Sequence, residues 1–293
     1  MKITVADADR VDKALAKQFP DAGRRQLAQL FDEGCVRVAG KLAKKGDRVV
    51  AGDVIELSRE PVSGDALRPT PDPAVPIDVL LERADIVAVD KPAGIPSQPL
   101  RAGELGTIAN GIVHRYPECV AIGDDPRDGG LVHRLDIGTS GVLVAARTAE
   151  AHRALRDAFG AGLVHKDYLA IVENRPVSRE CDAPLVQRGK RVVVDHTDGL
   201  AAYTAFTVER ASETHALVRC NAQTGRMHQV RAHLAHVGSP IVGDELYGGH
   251  RLEGFDGFFL HAAKIVLADK TEIEAPLPDR FQRALDQLNL SGR

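Results

Sequence analysis

GGLVHRLDIGTSGVLVAAR, residues Gly129 to Arg147, is the stretch on which the reading of this chain turns. It holds two apolar runs, Leu131-Val132 with Leu135, and Val142-Leu143-Val144. Between them stand Asp136, Ile137, Gly138, Thr139, Ser140 and Gly141. Short β-prone runs separated by such turn formers predict strand, tight loop, strand. The loop opens with a carboxylate. An isolated Asp at a strand end is ordinarily a turn former. Here a His-Arg pair precedes it, a hydroxyl pair follows, and Gly138 and Gly141 let another segment approach closely. That company makes Asp136 a candidate for chemistry.

Around this stretch, the bulk composition sets limits. With 293 residues there is room for one large domain plus a small one. A hydrophobic fraction of 44% supports a substantial core, and the absence of Trp leaves that core to Val, Leu, Ala and Ile. The net charge of -3 argues against nonspecific coating by nucleic acid, although a local basic groove is compatible with it. Cys35, Cys119, Cys181 and Cys220 are scattered without a CxxC pair, which speaks against a zinc ribbon or redox dithiol and fits a reducing compartment. The start, MKITVADADR, has no signal-like apolar core, and no run reaches the roughly 18 apolar residues of a membrane span. A cytoplasmic protein without membrane contact is expected.

Residues 1–60 read as a separate small module. Val11, Leu15 and Phe19, then Leu27, Leu30 and Phe31, mark two short amphipathic helices around the break at Pro20 to Gly23, with Asp21 as a candidate N-cap for the second. CVRVAGK and VVAGDVIEL follow as β-prone runs. Basic residues bunch here: Arg24, Arg25, Arg37, Lys41, Lys44, Lys45 and Arg48. Residues 61–76 contain Pro61, Pro69, Pro71, Pro73 and Pro76 and predict an extended linker. A large domain spans 77–293.

Within it, Ile86 to Val89 predicts a buried strand, followed by a loop from Asp90 to Pro99 and a short helix in GTIANGIVHRYP. Thr148 caps a helix with Ala151, Leu155 and Phe159 on one face. LVHKDYLAIVE predicts a strand, and AAYTAFTVER with HALVRCNA a hairpin. In TGRMHQVRAHLAHVGSP, apolar spacing predicts a helix capped by Thr224, with Arg226, His228 and Arg231 in its first two turns. His228, His233 and His236 lack HExxH spacing and supporting ligands, so no metal is expected. No phosphate loop or dinucleotide fingerprint appears either, and no cofactor is expected.

HRLD followed by TSG resembles the catalytic signature of the RluA-type RNA pseudouridine synthases. DKPAG, HKDYLA, GRMHQVR, GSPIVGD and Leu260-His261-Ala262 continue the resemblance in the same order. It implies an α+β fold, with a mixed, mainly antiparallel sheet flanked by helices, and isomerisation of uridine without a cofactor. It makes Asp136 the catalytic carboxylate. It puts Arg231 beside Asp136 as the guanidinium that keeps the carboxylate charged, and Tyr168 against the uracil. Arg134 would fill the stack left by an extruded base, and His133, Arg226 and His228 would contact RNA. Residues 1–60 resemble the S-four-like RNA-binding module, which implies phosphate contacts by Arg24, Arg25, Lys41 and Lys44. The partner implied is RNA, ribosomal rather than transfer RNA, bound by a monomer. A noncatalytic RNA-binding protein is the alternative class, as transfer RNA is the alternative substrate.

Overall fold

The computed structural model describes residues 1–20, 22–61 and 65–290, with the side chains of Arg24 and Arg25 outside that description. It divides into two units, Met1–Arg68 with Leu100–Gly103, and Pro69–Pro99 with Glu104–Arg293.

The first unit contains β1 (Lys2–Thr4), β2 (Asp9–Arg10), α1 (Val11–Gln18), α2 (Arg24–Asp32), β3 (Val36–Val38), β4 (Lys41–Leu42), β5 (Arg48–Val49) and β6 (Val54–Leu57). Four strands form a sheet in the order β1-β6-β3-β4, and β2 pairs with β5. The apolar positions read from the sequence meet in one core: Val11 and Leu15 of α1, Leu27 and Leu30 of α2, Val36 and Ile55. The cap of α2 is at Gly23, whose N–H donates to the Gln26 side chain at 2.6 Å, while Asp21 lies outside the described residues. Lys41 and Lys44 are exposed.

The second unit begins inside the proline-rich stretch, at Pro69. Residues 69–76 of the stretch expected to be a linker thus fall within the second unit. Polar bonding explains why. The Asp72 carboxylate accepts the N–H groups of Ala74 and Gly106, both at 3.0 Å, and the Asn110 amide donates to Thr70 O at 2.8 Å. Val75 packs on Ile108 and Ile112.

The elements that follow are β7 (Asp78–Glu82), β8 (Ile86–Lys91), α3 (Ile108–Arg115), β9 (Ser140–Ala146), α4 (Ala149–Gly160), β10 (His165–Glu173), β11 (Glu180–Cys181), β12 (Leu185–Arg188), β13 (Arg191–Val194), β14 (Thr204–Ala211), β15 (His215–Ala222), α5 (Gln229–His236), β16 (Leu260–Val266), β17 (Glu272–Glu274) and α6 (Asp279–Gln287). The main sheet runs β11-β14-β15-β10-β16-β9-β8-β7, with β17 beside β16. Its pairings are antiparallel except β9 against β16, which is parallel. The architecture is α+β, as the resemblance implies.

Alternation places the layers. Val87, Val89, Leu143 and Ala145 face α3, while Ala88, Val142, Val144 and Ala146 face α4. Thr148 caps α4 by accepting the Ala151 N–H at 3.1 Å. The hairpin β14–β15, α5 and α6 enclose a third core around Phe206, Leu234, Phe259 and Phe281. The first arm of the opening stretch departs from its expected strand. Leu131 makes a single bridge to Ala145. Beyond it, side chains replace ladder partners: His133 Nε2 accepts the Val144 N–H at 3.1 Å, and the Ser97 hydroxyl bonds both backbone groups of Leu135.

Strands β7 and β8 set Asp78 opposite Asp90. Burial, and then the Asp78 charge, push Asp90 up to about 6. A carboxyl raised in the folded state binds protons that the unfolded chain releases, so stability falls as pH rises from about 4 to about 6. Asp90→Asn is expected to stabilise the fold above that window by on the order of 1 kcal/mol, after discounting for partial exposure. Urea unfolding of both proteins at pH 4 and pH 7.5 checks this. An equal difference at both pH values would assign the effect to something other than ionisation.

Candidate active site

The loop from Leu135 to Ser140 is fixed from beneath by the DKPAG segment. Lys91, fully buried at the end of β8, donates to the carbonyls of Pro92 at 3.0 Å, Ile137 at 3.1 Å and Thr139 at 2.8 Å. The Gly94 N–H also donates to Ile137 O at 2.7 Å. Burial lowers Lys91 to about 8, with the Asp136 charge acting in the opposite sense. Two glycines allow close approach. A Cβ on Gly141, at φ 112°, would lie 2.2 Å from Ala262 O across the parallel pairing. One on Gly138 would lie 2.6 Å from the Phe258 ring.

Asp136 emerges from this loop with its side chain 26% exposed. Its Oδ2 accepts from Arg231 Nη1 at 2.9 Å. Arg231 is also held in two-point fashion by Asp244, through Nε at 2.7 Å and Nη2 at 2.8 Å. Asp244 is 1% exposed. The guanidinium carbon lies 4.4 Å from the Phe258 ring centre and 5.0 Å from that of Tyr247. Burial works against the Arg231 charge, but Asp244 and Asp136 outweigh it and raise its pKa.

His228 faces the other oxygen, with Nε2 3.8 Å from Asp136 Oδ1. It precedes α5 in the left-handed region, φ 52° and ψ 19°. The helix expected from Thr224 thus starts at Gln229, and Arg226 and His228 lie before it. The Gln229 side chain causes the delay. Its Oε1 accepts from Thr224 Oγ1 at 2.7 Å and from the Arg226 N–H at 3.1 Å, so residues 224–228 wrap around an amide instead of continuing the helix.

Tyr168 reaches the same region through the sheet. On β10 it pairs with Ala262 of β16, which pairs with Gly141 of β9. It is half-buried, and burial with the Asp136 charge pushes its phenol up. Asp136, Arg231, Tyr168 and His228 therefore converge. Arg134 is exposed with Asp125 as an electrostatic neighbour, and exposed Arg226 donates to Ala201 O at 3.0 Å. His133 goes elsewhere. Its ring stacks on Phe159 of α4 at 4.9 Å, and burial pushes it down to about 3. The expected RNA contact by His133 is not supported by this placement, since the ring serves core packing.

Lys91 and Asp244 stand within recognisable motifs of the sequence, yet nothing local assigns them a part. Tyr247 and Phe258 carried no signal, because their contribution is tertiary contact with Arg231. Among the described residues, no His, Cys, Asp and Glu cluster is arranged to hold a metal ion. The arrangement offers a carboxylate with one oxygen held and the other open, beside a phenol.

Comparison with known proteins gives one consistent result. The family described as RNA pseudouridylate synthase matches residues 85–236. The "Ribosomal large subunit pseudouridine synthase D" of Xanthomonas campestris pv. campestris is 34% identical over 95% of this chain and 88% of its own. The protein of the same name from Yersinia pestis is 33% identical over 98% and 94%. The solved structure of "Human RNA Pseudouridylate Synthase Domain Containing 4" shares the fold at a TM-score of 0.61, with 23% identity over 73% of this chain and 94% of that one.

Arg231→Lys tests the shared guanidinium. One ammonium cannot reproduce three directed N–H bonds to two carboxylates. Asp244 would be left buried and underbonded, so a stability loss of about 3 kcal/mol is expected. Denaturant unfolding measures it, and a loss near zero would show that Arg231 does not carry the arrangement.

Proposed function

We propose that this chain, which belongs to the RNA pseudouridylate synthase family and is an RNA pseudouridine synthase, isomerises uridines of large-subunit ribosomal RNA with Asp136 as the acting residue. The relatives' names support the substrate class. The observation that carries the role of Asp136 is its one-sided hold: Arg231 occupies Oδ2 and leaves Oδ1 open.

In the isomerisation the N1–C1′ bond breaks, a C5–C1′ bond forms, C5 loses a proton and N1 gains one. Nothing is oxidised or reduced. A carboxylate fixed in place suits such a reaction as nucleophile or base once bound RNA covers it from bulk water. Arg231 orients it. Tyr168 lies against the uracil. A paired target uridine must be extruded first, and the exposed guanidinium of Arg134, two residues before Asp136, is suited to the vacated stack.

The first unit supplies affinity as an S-four-like module. Its exposed Lys41 and Lys44, with Arg24 and Arg25, meet phosphates without reading sequence.

Two measurements test this reading. Asp136→Asn retains shape but loses charge. Pseudouridine formation on ribosomal RNA is expected to fall by about three powers of ten or more, with RNA affinity intact. A variant within a few fold of the parent would remove Asp136 from the chemistry; activity lost with binding intact would also dispose of a noncatalytic role. Lys41→Ala with Lys44→Ala is expected to flatten the plot of log affinity against log salt by roughly 1.4 to 1.8, about 0.7 to 0.9 for each phosphate no longer neutralised. An unchanged slope would take both lysines off the RNA.

A further inference from the structure

Asp136 has two partners, and one side chain touches both. Tyr247 lies against the Arg231 guanidinium at 5.0 Å and places its hydroxyl 2.9 Å from His228 Nδ1. Its ring also meets the His228 ring edge-on at 5.8 Å. We infer that Tyr247, acting through His228, is a positioning device that sets the open oxygen of Asp136 for reaction. This rests on the reading of Asp136 given above.

The Tyr247 hydroxyl oxygen receives the Val192 N–H at 2.9 Å. In the inferred arrangement its own proton goes to its other polar neighbour, His228 Nδ1. With Nδ1 accepting, the neutral ring carries its proton on Nε2, the nitrogen that faces Asp136 Oδ1. The His228 backbone sits in the left-handed region, which is uncommon for a residue with a Cβ. That turn brings the ring back over the carboxylate.

At 3.8 Å the Nε2–Oδ1 separation is longer than a hydrogen bond. Catalytic contacts that are long in the free enzyme tighten when substrate fills the site. Arg231 then holds Oδ2 and His228 steers Oδ1, so the plane of the carboxylate is defined from both sides. A simple RNA contact by His228, as the family resemblance implies, needs neither a defined tautomer nor Tyr247.

The test uses the full-length protein and large-subunit ribosomal RNA from a strain lacking it. Tyr247→Phe keeps the ring against Arg231 and removes the hydroxyl. It is expected to lower kcat by roughly 10- to 100-fold, with KM within about threefold, and to lower the thermal midpoint by a few degrees because the buried Val192 N–H loses its acceptor. His228→Gln keeps an N–H donor near the Nε2 position and is expected to lose less than His228→Leu. The Tyr247→Phe, His228→Gln double variant is expected to be no slower than His228→Gln alone, because the hydroxyl acts only through the imidazole. Parental kcat in Tyr247→Phe, losses that multiply in the double variant, or a change confined to KM would each overturn the inference. Asp136→Asn run alongside separates the two readings. If it stays active, both fall; if it is inert while Tyr247→Phe turns over normally, only this one does.

Discussion

A single buried guanidinium holds the site together. Arg231 ties α5 to the turn carrying Asp244 and to a loop 95 residues earlier in the chain. Taking such a charge out of water is costly unless it is paired and hydrogen-bonded. Here Nε, Nη1 and Nη2 each meet a carboxylate oxygen, and the rings of Phe258 and Tyr247 lie close to the guanidinium. The Asp136 carboxylate is thus set by tertiary packing, and its precision depends on residues that never approach the reacting atoms.

Lys91 does the same for the backbone. Three carbonyls converge on its ammonium, two of them from the loop that carries Asp136. A loop with irregular backbone needs its polar groups paired when buried. Lys91 and Ser97 meet that need from the strand and loop next door, so the segment is rigid without being regular.

Periodic features were legible in the sequence because they are local. Alternation in β8 and β9, the Thr148 cap of α4 and the β14–β15 hairpin all follow from neighbouring residues. Where a distant side chain substitutes for a backbone partner, periodicity misleads. Ser97 and His133 dissolve the strand expected at Leu131 to Leu135, Gln229 delays α5, and Asp72 with Asn110 draws the second half of the proline stretch into the large unit. The site divides in the same way. Motif resemblance located Asp136, Tyr168 and Arg231, which the structure brings together. Tyr247 and Phe258 act through tertiary contacts with Arg231, and in the case of Tyr247 with His228, and have no motif to betray them. His133 and Arg134 show how adjacency misleads: one packs on Phe159 and its neighbour is exposed.

Two aspartates share Arg231, and the contrast between them separates support from the chemistry proposed for Asp136. Asp244 is buried, with both oxygens bound by the guanidinium. A carboxylate in that state is a good ligand and a poor reagent, since both of its oxygens are already engaged. Asp136 gives Arg231 one oxygen and keeps part of its surface in the open. Burying it as deeply as Asp244 would improve its hold and close the approach to the substrate. Leaving it unheld would expose the carboxylate but cost its orientation, which is where much of an enzyme's advantage lies. Sharing one guanidinium unequally between two carboxylates meets both demands, because the fully bound partner fixes the Arg231 geometry that the half-bound one then uses.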